Sequence, residues 1–174
     1  MLEPTSTKEN QMLLYHYTIS DRLVKIMVDG FLKLTPKEPL AGEIPVVWLT
    51  KSREWEETAF YGHPKDALEQ AGMIRITVSI YNVIPAEAYR DRIPNFEHLC
   101  STARIAGMDP EDWFVSNQKI GFDRIRGIEL WRDEKWVKVP MSKSTSGESS
   151  PSAPTVPSEM MENLSTYKKG VFGG

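Results

Sequence analysis

His16 and Glu129 are the two residues whose type and setting best suit chemistry. The first is the next-to-last residue of the apolar run "LLYHY" (Leu13 to Tyr17), two residues before Thr18 and just ahead of the first helical pattern in the chain. An imidazole at that place is either a hydrogen-bonded structural group or one that holds a ligand. The second sits in "IRGIELW", where strand alternation turns Ile128 and Leu130 one way and Gly127, Glu129 and Trp131 the other. A carboxylate between a glycine, which lets a ligand approach closely, and an aromatic suits a cleft wall; the alternative is a solvated residue on the outer face of a hairpin. Arg75 and Arg126 also lie on strand patterns, where each could grip a pyrophosphate or stay in solvent. Metal chemistry is not expected, because one cysteine (Cys100) and three scattered histidines (His16, His63, His98) show no recurring ligand spacing. Cys100, in "FEHLCSTARIAG", reads as a small buried apolar residue.

The elements that must position these residues are legible in part. "LLYHY" reads as a strand, followed by a helix from Ser20, taken as its N-cap, with Asp21 in the first turn, Leu23, Ile26 and Met27 as its apolar stripe and Gly30 as its stop. "PVVWLT" (Pro45 to Thr50) is a compact β-branched and aromatic strand, after which Ser52 is expected to cap a short acidic helix, "REWEETAFYG". In "GMIRITVSI", Ile74, Ile76 and Val78 alternate with Arg75, Thr77 and Ser79, a strand with one apolar and one polar face. Phe96, Leu99, Cys100, Ala103 and Ala106 recur at helical spacing before Gly107. "DWFVS" reads as a short strand, and "IRGIELW" with "KWVKVP" as a hairpin turning at Arg132-Asp133-Glu134, with Trp48 and Trp113 expected in the core. The fold class is α+β, with mostly antiparallel strands and a few peripheral helices.

With 174 residues, 40% of them hydrophobic, the chain suits one domain, expected over residues 1–140. The Ser/Pro-rich run 141–158 is predicted to be a disordered linker, and residues 159–174 a tail whose Met160, Met161, Leu164, Tyr167 and Phe172 suit a short docking segment. A net charge of -3 with no basic cluster argues against a duplex nucleic-acid binder. No run approaches 18 apolar residues and the polar start does not read as a signal peptide, so no membrane contact and a cytoplasmic location are expected.

The order of these parts resembles the ADP-ribosyltransferase superfamily: His16-Tyr17-Thr18 is similar to the His-Gly-Thr triplet of poly-ADP-ribose polymerases, Ile26 to Gly30 to the helix end that follows it, and Thr58-Ala59-Phe60-Tyr61 to their Ala-x-x-Tyr segment. The "I…G…VWLT" run is also similar to that of RNA 2′-phosphotransferases and of bacterial DNA-targeting ADP-ribosylating toxins. The resemblance implies split antiparallel sheets holding the nicotinamide riboside end of NAD, whose bond from ribose C1′ to nicotinamide breaks through an oxocarbenium-like state. It implies His16 on a ribose hydroxyl with Thr18 in support, Tyr17, Trp48 and Thr50 along the NAD cleft, Tyr61 stacked on nicotinamide, Glu129 as the catalytic carboxylate, and Ser116 and Gln118 near substrate. The function it implies is NAD-dependent mono-ADP-ribosyl transfer to a macromolecule, a protein or single-stranded nucleic acid, in a setting such as a bacterial or phage conflict system. The alternatives are a non-catalytic binding or inhibitory module on the same fold and, more distantly, a 2′-phosphotransferase-like enzyme.

Overall fold

In the computed structural model, which describes residues 11–36, 41–60, 64–81 and 83–141, β-branched and aromatic runs form most of the framework. The elements are β1 (Met12–Ile19), α1 (Ser20–Asp29), β2 (Phe31–Leu32), β3 (Val47–Thr50), α2 (Lys65–Ala71), β4 (Met73–Ile80), β5 (Ile84–Pro85), α3 (Phe96–Ile105), β6 (Trp113–Ser116), β7 (Ile120–Gly121), β8 (Ile125–Arg132) and β9 (Lys135–Lys138). Single 3₁₀ segments lie at Glu57–Phe60, Ala86–Arg92, Pro110–Asp112 and Phe122–Arg124. Seven strands form one sheet in the order β5-β6-β3-β1-β4-β8-β9, and β2 pairs with β7 in a second, small sheet. Every pairing is antiparallel, so the architecture is α+β as expected.

Leu14, Ile74, Ile76, Val78 and Ile128 share a cluster with Leu23, Ile26 and Met27 of α1. Each such side chain contributes about 1.5–3 kcal/mol when fully buried. α1 ends as expected, with Gly30 in the left-handed region (φ 76°) and its N–H donating to the Ile26 carbonyl at 2.9 Å. Its start differs from the expected cap. Ile19 holds the capping position, while the N–H and hydroxyl of Ser20 both donate to the Gly72 carbonyl, at 2.8 and 3.1 Å. This ties the start of α1 to the end of α2, a helix the sequence reading did not expect.

Gly72 therefore has two duties. Its φ of 74° disfavours any side chain, and a Cβ there would overlap the Ser20 hydroxyl. Gly72→Ala is expected to destabilise the chain by about 1–3 kcal/mol. Chemical denaturation checks this, and a midpoint equal to wild type would contradict it.

On the opposite sheet face, Phe96, Cys100 and Ala103 of α3 cover Val46, Trp113 and Val115. Trp113 meets Trp48 and Phe96 edge-on, with centroids 6.0 and 6.4 Å away. Further along that face lies an aromatic group of Tyr15, Tyr17, Trp55, Trp131 and Trp136. β4 thus has no solvent face: Arg75 is only 3% exposed and Ser79 only 2%. The rings of Tyr15 and Trp136 lie over Arg75 on the expected polar side of β4.

The β8–β9 hairpin turns through Asp133 and Glu134, both at positive φ (50° and 59°), the pairing a two-residue turn requires. The expected acidic helix after Ser52 does not form. Residues 51–56 are an irregular, bent loop leading into the 3₁₀ segment Glu57–Phe60, for reasons that follow from what holds it. The 141–158 linker, apart from Met141, and the 159–174 tail lie outside the described residues.

Candidate functional site

β1 pairs with β4 along its whole length, Met12↔Ile80 to Ile19↔Met73, but with β3 only through Tyr15↔Thr50. The sheet therefore opens between β1 and β3. A cleft of about 620 Å³ lies at this opening, lined by β1, β3, α1, the residues around β2, and the 3₁₀ segment after the 51–56 loop.

His16 spans the opening. Its Nδ1 lies 2.9 Å from the Trp48 carbonyl on β3. A carbonyl can only accept, so Nδ1 carries the proton and Nε2 keeps its lone pair. Burial lowers the imidazole pKa below its ordinary 6.5; the Trp48 hydrogen bond opposes this shift, and the Arg22 cation adds to it. The residue lining the cleft is thus a neutral imidazole whose Nε2, without a partner among the described residues, is free to accept a hydrogen bond. Thr18, Trp48 and Thr50 line the same cleft.

Among the described residues two carboxylates line the cleft: Asp29, and Glu56, which sequence reasoning missed. Glu56 is 4% exposed, and it accepts from the Thr50 hydroxyl (3.1 Å to Oε2) and from the Thr58 hydroxyl (to Oε1). The Thr50 hydroxyl in turn accepts the Ser52 N–H at 3.0 Å. In the sequence Glu56 is one of three acids in "REWEET", which looks like a solvated helix face; only the threonines two residues after it and six before hint otherwise.

Glu129 is placed differently from the expectation. It does not line the cleft: its Oε2 accepts from Arg75 Nε (2.8 Å) and Nη2 (2.7 Å), because Arg75 stands directly opposite on β4. Arg75 is accordingly an ion-paired group under the rings of Trp136 and Tyr15, 4.7 and 5.4 Å away, and not a grip for a pyrophosphate. Tyr17 reaches the cleft wall, but its hydroxyl lies 2.8 Å from both the Ser52 and the Arg53 carbonyls, to which it donates. Burial pushes its pKa well above the ordinary tyrosine range, against the pull of the Arg75 cation. Tyr61 lies outside the described residues.

Arg126 is exposed and donates to the Asp123 carbonyl at 2.7 Å, and Ser116 and Gln118 close a turn on each other, all three away from the cleft. Trp113 is buried as expected, whereas Trp48 is half-buried, and both line the cleft. Arg22, Lys25 and Lys33 bring positive charge to it, with Lys33 paired to Asp29 at 2.5 Å. Among the described residues no three His, Cys, Asp or Glu side chains could hold a metal ion, and no helix is long and apolar enough to cross a membrane. No protein-family model, curated protein or solved structure matches the chain.

Proposed function

We propose that this cleft takes the nicotinamide riboside end of NAD, and that the chain is an NAD-consuming mono-ADP-ribosyltransferase with a macromolecular acceptor, a protein or single-stranded nucleic acid, working in the cytoplasm. The observation that carries the reading is a neutral imidazole acceptor and a buried carboxylate, His16 and Glu56, in the walls of one cleft where the sheet opens. The cations of Arg22 and Lys25 in the same lining suit the two phosphates of a dinucleotide. His16 Nε2 accepts a ribose hydroxyl and Thr18 supports it. Glu56 opposes the positive charge that develops at ribose C1′ as the bond to nicotinamide lengthens. The bonding pair leaves with nicotinamide, and an acceptor oxygen or nitrogen then bonds to C1′ and gives up its proton to water. The role assigned to Glu129 by resemblance passes to Glu56 in this reading, because Glu56 is the buried carboxylate of the cleft, while Asp29, the other carboxylate in its lining, is paired with Lys33.

His16→Ala is expected to weaken NAD binding by roughly 5- to 150-fold, the loss of one hydrogen bond in a desolvated site, with the fold retained. Titration calorimetry checks it; wild-type affinity would contradict it. Since its folded pKa lies below 6.5, neutral His16 contributes stability that is full above 6.5 and is lost as pH falls from there toward the folded value. Wild type should therefore lose more stability than His16→Ala below pH 6.5.

The activity itself is tested by incubating the full chain with NAD labelled in its adenylate and a cell lysate. Label in the protein or nucleic-acid fraction is expected. NAD binding without any transfer would turn the reading to a non-catalytic module, and no NAD binding would overturn it.

A further inference from the structure

Four successive carbonyls of the loop after β3 are captured by side chains. Those of Ser52 and Arg53 accept from the Tyr17 hydroxyl, that of Arg53 also from Arg75 Nη1, that of Glu54 from the Trp136 indole N–H at 2.9 Å, and that of Trp55 from the Ser52 hydroxyl. A loop of this length ordinarily leaves such carbonyls to water. Three of the four donors, Tyr17, Arg75 and Trp136, come from three different strands, β1, β4 and β9, and only Ser52 belongs to the loop, so the binding of the Ser52, Arg53 and Glu54 carbonyls is tertiary. The next residue is Glu56.

Tyr17, Arg75 and Glu129 stand in one row across β1, β4 and β8. Glu129 occupies Arg75 Nε and Nη2, which fixes the plane of the guanidinium and leaves Nη1 aimed at the Arg53 carbonyl. We infer that the Arg75–Glu129 ion pair is a positioning device set behind the cleft: it straps the 52–55 loop by its carbonyls and so holds the Glu56 carboxylate in the cleft wall. Glu129 acts through Arg75 and the loop, and it does not touch the substrate. This inference rests on the reading of Glu56 given above.

Hydrogen exchange by mass spectrometry on the full chain tests the strap, together with steady-state nicotinamide release. Two variants are compared with wild type. Glu129→Gln removes the charge that fixes Arg75, and Trp136→Phe keeps a ring over Arg75 but deletes the N–H that holds Glu54. The reporter amides are those of Ser52, bonded to the Thr50 hydroxyl, and Ala59, bonded to the Glu56 carbonyl. Exchange in residues 51–59 is expected to quicken by about tenfold or more in both variants and by a larger factor than exchange in α3, which in Trp136→Phe keeps its wild-type rates. In both, kcat should fall by roughly tenfold with KM held within about twofold, the pattern of a misplaced catalytic group. Unchanged loop exchange overturns the strap, as does faster loop exchange with unchanged kcat. Exchange that quickens in Glu129→Gln by the same factor in α3 as in residues 51–59, with none in Trp136→Phe, also overturns it, because the ion pair would then support only the fold at large and have no particular hold on the loop. If wild type releases no nicotinamide, the proposed activity fails and the exchange comparison alone decides for or against the strap.

Discussion

Glu56→Gln is expected to bind NAD with nearly wild-type affinity and to release nicotinamide roughly 10²–10³-fold more slowly. The amide keeps the size of the carboxyl group and one acceptor oxygen for Thr50 or Thr58, so the cleft keeps its shape. What it loses is the negative charge, which matters little to a bound ground state and much to a ribose C1′ that becomes positive as its bond to nicotinamide breaks. The effect is large because Glu56 is 4% exposed, where water screens a charge poorly. Nicotinamide release at saturating NAD, with the dissociation constant measured separately, reads the two quantities apart. Equal release from variant and wild type would remove Glu56 from the reaction.

Glu129→Leu should have the largest effect on stability. It leaves the Arg75 guanidinium, 3% exposed, without its carboxylate. Breaking a buried pair from one side costs about 3–5 kcal/mol, and for a chain of this size that lowers the melting temperature by roughly 10 °C. Replacing both partners together, Arg75→Met with Glu129→Leu, should recover most of the loss, since two apolar groups among Tyr15, Trp131 and Trp136 leave no charge to desolvate. Some loss remains, because the Arg53 carbonyl also gives up a donor. Thermal unfolding of the single and double variants measures this. A single variant as stable as wild type would show that the pair carries no net burden in the fold.

The difference between these two carboxylates shows where sequence reasoning stops. β4, α1 and the β8–β9 hairpin are legible because their cues are local: period-two alternation in "MIRITVSI", the Leu23/Ile26/Met27 stripe closed by Gly30, and two short apolar runs joined by a polar turn. His16 is legible as a candidate for the same reason, standing at the end of such a run. Glu129 stands out just as clearly, but its alternation reveals only which face of β8 it takes. That this face holds Arg75 depends on a strand pairing 54 residues away, which no local pattern encodes.

The 51–60 segment fails in the opposite direction. Its acids and short apolar residues read as a capped helix, yet side chains from β1, β4 and β9 bind its carbonyls and draw the backbone into a loop. Local helix propensity, worth tenths of a kcal/mol per residue, gives way to several tertiary hydrogen bonds of about 1 kcal/mol each. Glu56 is carried into the cleft by that loop, so its role was hidden together with the loop's shape. The opening between β1 and β3 was hidden likewise: both strands are plain in the sequence, but the single pairing of Tyr15 with Thr50 is not.

The central claim, that a neutral His16 offers Nε2 to a ribose hydroxyl of NAD, can be observed directly by ¹⁵N spectroscopy of the imidazole rings of the full chain with and without NAD, His16 being identified by the signals that vanish in His16→Ala. Without NAD, His16 should show the tautomer protonated at Nδ1, the form the Trp48 carbonyl requires, at neutral pH. Saturating NAD should then move the Nε2 resonance in the direction of an accepted hydrogen bond while Nδ1 stays protonated. A ring protonated at Nε2 or at both nitrogens, or an Nε2 resonance unmoved at saturating NAD, would contradict the account.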